Sequence, residues 1–364
     1  MRDYIITVNS TVDMPKEWLA ERGVPVIPLK YTMEGKTYTD MEGLTPKEFF
    51  GKLREGKMSV TSQVNPEEAK EMLEPFVKEG KDVLHLSFSS GLSGTANSMR
   101  MAAEELSEEY PERKILAVDT LCACMGEGLL LHKALQLKAA GKTMEEVAQW
   151  VEENKLHICH NVTVDDLHHL HRGGRISKAT AVLGSMVQIK PIIHVDNEGR
   201  LQVIGKERGR KKSLNKIVDM AAEQAKGWEN DLVLITHGDC IEEAEYVAGR
   251  VREKLGVDHI LINNTKRIQN RTDQNCDQED WSNPFDHDCE HFFAFECAVI
   301  RSFYFINDGL RFDHESYEDA SQYGNDRHQH TVADEVHSIQ NGHSQRLDKV
   351  KCSKSEGSRN SNQQ

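Results

Sequence analysis

The chain reads as an α/β protein: a mostly parallel sheet with flanking helices, followed by a second, mixed α/β domain. Three observations predict this. Short apolar runs alternate with amphipathic stretches through residues 1–264, the pattern of strands covered by helices. Those strand-like runs are apolar throughout, as expected when both faces of a parallel sheet are buried. A hairpin signature in the second part adds at least one antiparallel pair there.

In chain order, Tyr4–Val8 and Val24–Leu29 are expected as buried strands, and so are Val83–Phe88 and Ile115–Val118. A helix begins at Pro66, with Asn65 as its N-cap and proline at the first helical position. The stretch Ala96–Tyr110 places Met99, Ala102, Ala103 and Leu106 on one helical face, and Cys122–Ala140 forms the next helix. Thr143 opens another, where Glu146 completes a capping box and Val147 and Val151 lie on the buried side. A strand-like run from Leu156 to Val164 then leads through Asp165-Asp166-Leu167 to a short helix ending at Arg172-Gly173-Gly174. After a helix near Ala179–Val187, Pro191–Val195 and Leu201–Ile204 flank Asp196–Arg200 as a hairpin, with Gly199 able to take positive φ. Helix Ser213–Ala225, strand Asp231–Thr236, helix Ile241–Leu255 and strand His259–Asn263 follow. The expected organisation is a domain at 1–155, a second at 156–264, and a divergent polar tail at 265–364 that is largely disordered.

Composition supports the division. The 364 residues carry 45 Lys+Arg against 59 Asp+Glu, a net charge of −14. Residues 1–264 hold 34 and 41 of these (34 − 41 = −7), and residues 265–364 hold 11 and 18 (11 − 18 = −7). The tail also contains Cys276, Cys289, Cys297 and Cys352, and beyond Asn307 it is rich in Ser, Asn, Gln, Asp and His without a sustained period. An acidic balance argues against general affinity for nucleic acid or an anionic membrane. No apolar stretch approaches the ~20 residues of a membrane-spanning helix. The N-terminus lacks signal-peptide architecture, and eight cysteines in so long a chain read as reduced thiols. A cytoplasmic protein is expected.

The most informative segment is Ser87-Phe88-Ser89-Ser90-Gly91-Leu92-Ser93-Gly94-Thr95, between a strand and a helix N-terminus. Unpaired N–H groups and the positive dipole end suit a carboxylate or phosphate there. A Gly/Ser turn with a capping hydroxyl is the plain alternative. A nucleophile elbow needs a second glycine where Thr95 stands. Thr61-Ser62-Gln63 precedes the Pro66 helix and could complete a polar site, while Asn9–Asp13 reads better as a turn capped by Ser10 or Thr11. His168 and His171 lack a third metal ligand, and the tail set His287, Cys289 and His291 with Cys276 and Cys297 matches no standard zinc module. Arg172-Gly173-Gly174-Arg175 holds two guanidinium groups on a tight turn, suited to an anion or an acidic partner surface. Cys122-Ala123-Cys124 is one residue short of a thioredoxin-like pair. There is no Walker loop and no dinucleotide fingerprint.

Taken in order, several of these segments resemble the DegV family of bacterial fatty-acid-binding proteins. They are Asn9–Asp13, Thr61-Ser62-Gln63, Ser89–Thr95, Val164–Leu167, Arg172–Ser177, Lys190-Pro191-Ile192 and Arg208–Lys212. The resemblance covers residues 1 to about 263 and leaves the tail unmatched. It implies one long-chain fatty acid held in a tunnel between two domains, with no other cofactor and no metal. Its carboxylate would be held by Thr61 and Ser93, with Ser62, Gly94 and Thr95 as secondary contacts. It further implies a non-catalytic subunit that presents the acid to a separate fatty acid kinase, for which Arg172 and Arg175 resemble the docking loop.

Two departures stand out. Asn9 occupies a position where the family usually has Asp. After Asn264 the family's final segment, with its head-group histidine and last strand, has no counterpart, and the tail's composition fits either an unrelated extension or a changed reading frame. The rival readings are a serine hydrolase or acyltransferase using Ser93, and a degenerate lipid domain acting as an interaction or metal-binding module through its tail.

Overall fold

The structure is a computed structural model that describes residues 3–165, 167–177, 188–228 and 230–265, together with the backbone of 294–297. Strand β1 (Tyr4–Asn9) passes through a 3-10 turn at Ser10–Val12 and helix α1 (Lys16–Glu21) into β2 (Val26–Ile27). Next come β3 (Lys30–Met33), β4 (Lys36–Thr39), α2 (Pro46–Arg54) and β5 (Ser59–Ser62). The alternation then runs α3 (Pro66–Lys78), β6 (Asp82–Ser87), α4 (Thr95–Glu109), β7 (Ile115–Asp119), α5 (Met125–Ala139) and α6 (Met144–Asn154).

The main sheet has the order β2-β1-β6-β7, with every pair parallel. Both of its faces are dry. Ile6, Val8, Leu84 and Leu86 pack with Leu129, Leu130, Val147 and Val151 of α5 and α6. On the other side Val83 and Ile115 meet Leu73, Val77, Met99 and Leu106 of α3 and α4. Truncating one of these leucines to alanine is expected to cost about 2–5 kcal/mol, because a filled space becomes a cavity. The capping boxes expected at Asn65/Glu68 and Thr143/Glu146 are both formed.

Three elements differ from expectation. The strand expected over Val24–Leu29 shrinks to two residues because Pro25 and Pro28, which flank it, cannot donate to a ladder. The helix expected from Cys122 starts at Met125, since Leu121 and Cys124 adopt positive φ. The run from Leu156 opens with a 3-10 turn at Lys155–His157, and its strand begins only at Asn161.

The second part starts with β8 (Asn161–Val164) and α7 (His168–Arg172), and continues with β9 (Ile189–Val195), β10 (Leu201–Arg208) and α8 (Arg210–Gln224). It closes with β11 (Val233–His237), α9 (Ile241–Leu255) and β12 (Ile260–Asn264). β9 and β10 form the expected hairpin, with Gly199 at φ +71° and a register shift between Val203 and Gly205. The helix expected near 179–187 lies outside the described residues. Within the tail, β13 (Ala294–Cys297) pairs antiparallel with β8 and extends the sheet to β10-β9-β8-β13. It therefore covers the edge of β8 opposite β9. The remainder of the tail, including its Cys/His set, lies outside the described residues.

β11 and β12 pair in parallel and reach the first core, where Leu232 and Leu234 join the α5/α6 side. Polar links reinforce that contact. Thr236 Oγ1 donates to Asp13 Oδ2 at 3.3 Å, Asn263 Nδ2 donates to the Asp13 carbonyl at 2.6 Å, and Arg54 pairs with Asp239 at 2.6 Å. The described residues from 3 to 265 belong to one compact unit.

Candidate functional site

The segment between β6 and α4 lies at the carboxyl end of the parallel strands, where open α/β sheets place their ligands. Ser93 is half-buried and Thr95 is buried. Ser93 Oγ lies 2.9 Å from Thr95 Oγ1 and accepts the Thr95 N–H at 3.2 Å. The first intrahelical bond of α4 runs from the Ser98 N–H to the Gly94 carbonyl. The N–H groups of Ala96 and Asn97 therefore point out of the helix end without an intrahelical acceptor. Two hydroxyls and two amide donors thus converge on one helix N-terminus, an arrangement suited to an anionic head group. At the end of β7, Asp119 Oδ1 accepts the N–H groups of Ser90 and Leu121, both at 3.1 Å.

The second polar segment lies against the first. The Val64 N–H donates to Thr95 Oγ1 at 3.3 Å, and a Cβ added to Gly94 would lie 2.1 Å from Gln63 Oε1. Gly94 thus lies directly against the Gln63 side-chain amide. Thr61 and Ser62 are both exposed on β5, but strand alternation sends them to opposite faces. Thr61 is in register with Tyr31, and Ser62 with Lys30.

Beside this polar end is an apolar cluster. Leu92, Ala123, Val162, Val164, Leu167 and Ile176 are buried together, with Phe88, Leu170 and Val203 packed against them. Arg172 and Arg175 are both exposed. Arg175 does not stand clear, however: its Nε donates to the Leu92 carbonyl at 3.0 Å, and a terminal nitrogen donates to the Gly173 carbonyl. His171 Nδ1 lies 3.3 Å from the Ile176 carbonyl, so it buttresses the same turn.

The turn after β1 departs from the capping role expected of it. The 3-10 turn at Ser10–Val12 has no side-chain cap. Each polar residue instead reaches a different partner. Asn9 Oδ1 accepts the Phe88 N–H at 3.1 Å, Ser10 Oγ accepts the Leu29 N–H at 3.1 Å, and Thr11 Oγ1 donates to Glu127 at 3.1 Å. Sequence reasoning missed Glu127, which is fully buried and whose carboxyl burial pushes well above its ordinary range.

Several motif residues without an expected role form a charged seam in the second part. Asp165 pairs with Lys190 at 2.7 Å, and Arg210 pairs with Glu243 at 2.7 Å. Gly209, at φ +91°, donates its N–H to the Gln188 carbonyl at 2.7 Å. The buried histidines are also committed. His85 lies 2.9 Å from Thr7 Oγ1, His160 Nε2 accepts the Ala123 N–H at 3.2 Å, and His237 Nδ1 accepts the Cys240 N–H at 3.1 Å. Burial lowers the first to about 3 and the other two to about 4, so all three are neutral rings near pH 7. Ser93 hydrogen-bonds to Thr95 rather than to an imidazole, unlike an activated serine nucleophile.

The profile of the DegV family matches residues 4–268. A DegV domain-containing protein of Clostridium perfringens is 44% identical over 264 residues, covering 72% of this chain and 91% of the relative. One from Lactococcus lactis is 33% identical over 259 residues, covering 71% and 89%. Among solved structures, a DegV family protein from Thermus thermophilus described for its fatty acid binding matches with a TM-score of 0.68 and 29% identity, over 82% of this chain and 100% of that one. DegV of Bacillus subtilis, described as a fatty acid binding protein, matches with a TM-score of 0.62 and 28% identity, over 72% and 92%. No helix among the described residues is long and apolar enough to cross a membrane.

Proposed function

The chain belongs to the DegV family over residues 4–268, and from that premise we propose that it binds one long-chain fatty acid. The acyl chain lies in a tunnel between the halves 1–155 and 156–264, and the carboxylate is held at the amino end of α4. Thr61 and Ser93 are its principal ligands, with Ser62, Gly94 and Thr95 as secondary contacts. The observation that carries this reading is adjacency. The Ser93–Thr95 donors and the apolar cluster around Leu92, Leu167 and Ile176 meet along one loop. Each buried CH₂ contributes roughly 0.8 kcal/mol, so a sixteen-carbon tail supplies on the order of 10 kcal/mol before ordering costs. Neutral hydroxyl and amide donors then need only orient the head group.

In this reading the protein is a cytoplasmic, non-catalytic bacterial carrier that needs no cofactor besides its lipid. It presents the carboxylate to a separate kinase for acyl-phosphate formation, docking through Arg172 and Arg175. The sequence has no phosphate-binding loop of its own, which fits a division of labour between two polypeptides. The hydrolase reading is weaker because Thr95 replaces the elbow glycine and the Ser93 hydroxyl lies against that of Thr95 rather than an imidazole among the described residues. The deciding measurement is mass spectrometry of small molecules extracted from the full chain purified without detergent. A stoichiometric C14–C18 fatty acid is expected. Absence of any such acid, with no uptake of added palmitate or oleate, overturns the reading.

A further inference from the structure

We propose that Ser89 is the positioning residue of the carboxylate loop and that the hairpin turn Asp196–Arg200 is the anchor through which it acts; the inference rests on the fatty-acid reading above. Ser89 is fully buried and spends every polar atom on this region. Its hydroxyl donates to the Gly199 carbonyl at 2.7 Å and accepts the Gly91 N–H at 3.1 Å. Its carbonyl accepts the N–H groups of Leu92 and Ser93, both at 3.1 Å, and its own N–H donates to the Cys122 carbonyl at 3.0 Å. One side chain therefore couples the backbone before Ser93 to an element more than a hundred residues away in sequence.

The anchor is built for close approach and is itself rigid. Gly199 takes φ +71°, and a Cβ there would lie 2.0 Å from Ser89 Oγ. A Cβ on Gly91 would lie 2.5 Å from the Glu198 carbonyl oxygen and 2.7 Å from that of Gly199, so Gly91 admits the backbone of the turn. Within the turn, Asp196 Oδ1 accepts the N–H groups of Glu198 and Arg200, both at 2.9 Å, and the Gly199 N–H donates to the Asp196 carbonyl at 2.9 Å. A second strap arrives from the same side, where Arg175 Nε donates to the Leu92 carbonyl at 3.0 Å. Donors fixed before the ligand arrives lose little freedom on binding, and that difference appears as affinity for the head group alone. Ser89 touches no ligand in this scheme; it fixes where Ser93 and the α4 amides stand.

The test separates positioning from bulk stability by using two probes that share a tail. The delipidated full chain, wild type and Ser89→Ala, is titrated calorimetrically with palmitate and with hexadecanol, each delivered from cyclodextrin. Wild type is expected to prefer the acid. Ser89→Ala is expected to lose about 5–10-fold in palmitate affinity while hexadecanol binding stays within about twofold. An unchanged acid preference overturns the proposal. An equal loss for both ligands also overturns it, because that marks a merely structural role. If Ser89→Ala does not fold, Arg175→Met removes the second strap at an exposed position, and the same pattern of outcomes decides. A wild type that binds neither probe refutes the fatty-acid reading itself, and is told apart by failing before any variant is made.

Discussion

Thr11 Oγ1 donates to Glu127 Oε2 at 3.1 Å, while Glu127 Oε1 is buried without a protein partner among the described residues. Burial is the main cause pushing this carboxyl well above its ordinary range, and Asp13 adds to it; the Thr11 hydroxyl and a backbone bond at Asn9 oppose it only in part. The folded state then holds a proton that the unfolded chain releases at its ordinary carboxylate pKa. Stability from this site falls as pH rises above about 4.5, the reverse of a salt-bridged acid. Glu127→Gln keeps the shape and removes the ionisable group. It is expected to flatten the decline in Tm between acid and mildly alkaline buffer. A variant whose Tm follows pH as wild type does would show that Glu127 is ionised in the fold.

Lys133 of α5 is buried and pairs at 3.0 Å with the half-buried Asp231, just before β11. Burial depresses the lysine, partly offset by Asp231; at the aspartate burial is the largest single effect and raises the carboxyl, but the lysine's charge and hydrogen bond, with a backbone hydrogen bond and His132, together hold it low. Asp231→Asn takes a negative charge from beside a buried ammonium and is expected to destabilise by about 3 kcal/mol. Lys133→Met takes a positive charge from beside a half-buried carboxylate and is expected to cost much less. Urea unfolding of both variants checks the asymmetry; equal losses would contradict it.

At the candidate site, two neighbouring hydroxyls should behave differently. Thr95 Oγ1 accepts the buried Val64 N–H, so Thr95→Val leaves that donor unpaired and is expected to cost about 1–3 kcal/mol. Ser93 is half-buried, and among the described residues its hydroxyl bonds within the loop, to Thr95. Ser93→Ala is expected to leave Tm nearly unchanged and to weaken palmitate binding about 5–10-fold. Unaltered affinity in Ser93→Ala would remove Ser93 from the site.

Much of this was legible because its signals are local. The capping boxes at Asn65 and Thr143, the helix Ile241–Leu255 and the Gly199 turn appear where expected. The sheet β4-β3-β5 was not legible, and the reason is physical. Its strands have four residues each, one face is exposed, and the apolar signal reduces to Tyr31, Met33 and the half-buried Tyr38. Its hairpin turns on Glu34 at φ +52° and Gly35 at φ +76°, a primed turn in which Glu replaces the usual Asn or Asp. Ser89 and Glu127 gain their roles from residues more than a hundred positions away. A spacing rule sees only near neighbours, so neither could stand out from the sequence.

The two arginines of the 172–175 turn should also separate. Both are exposed, and Arg175 also donates to the Leu92 carbonyl of the Ser93 loop. Arg172→Glu is expected to lower ATP-dependent acyl-phosphate formation with a partner kinase at least about tenfold, as charge reversal at an interface does. Its palmitate affinity should remain within about twofold. Arg175→Glu should reduce both, because it also loosens the Ser93 loop. The check is a coupled acyl-phosphate assay run beside direct binding; a kinase assay indifferent to Arg172→Glu would remove that residue from the docking surface.

Asn9 offers the sharpest electrostatic test, because its side chain lies against a buried histidine. Asn9 Oδ1 accepts from the Phe88 N–H and lies 3.4 Å from His85 Nε2, while its Nδ2 is buried without a partner among the described residues. Thr7 Oγ1 sits 2.9 Å from the other ring nitrogen, so the network fits a neutral ring protonated on Nε2. Burial holds His85 down at about 3, below its unfolded value of about 6.5. Its contribution to stability is therefore present above about pH 6.5 and is lost as pH falls toward the folded value. Asn9→Asp replaces the orphaned donor with an acceptor and sets a negative charge against the ring, which favours the imidazolium. The His85 titration, followed by NMR of its Cε1 proton, is expected to move upward, and acid unfolding to begin at lower pH. If the ring in Asn9→Asp stays neutral wherever it does in wild type, the carboxylate has either taken up a proton or turned away, and the proposed coupling between positions 9 and 85 is wrong.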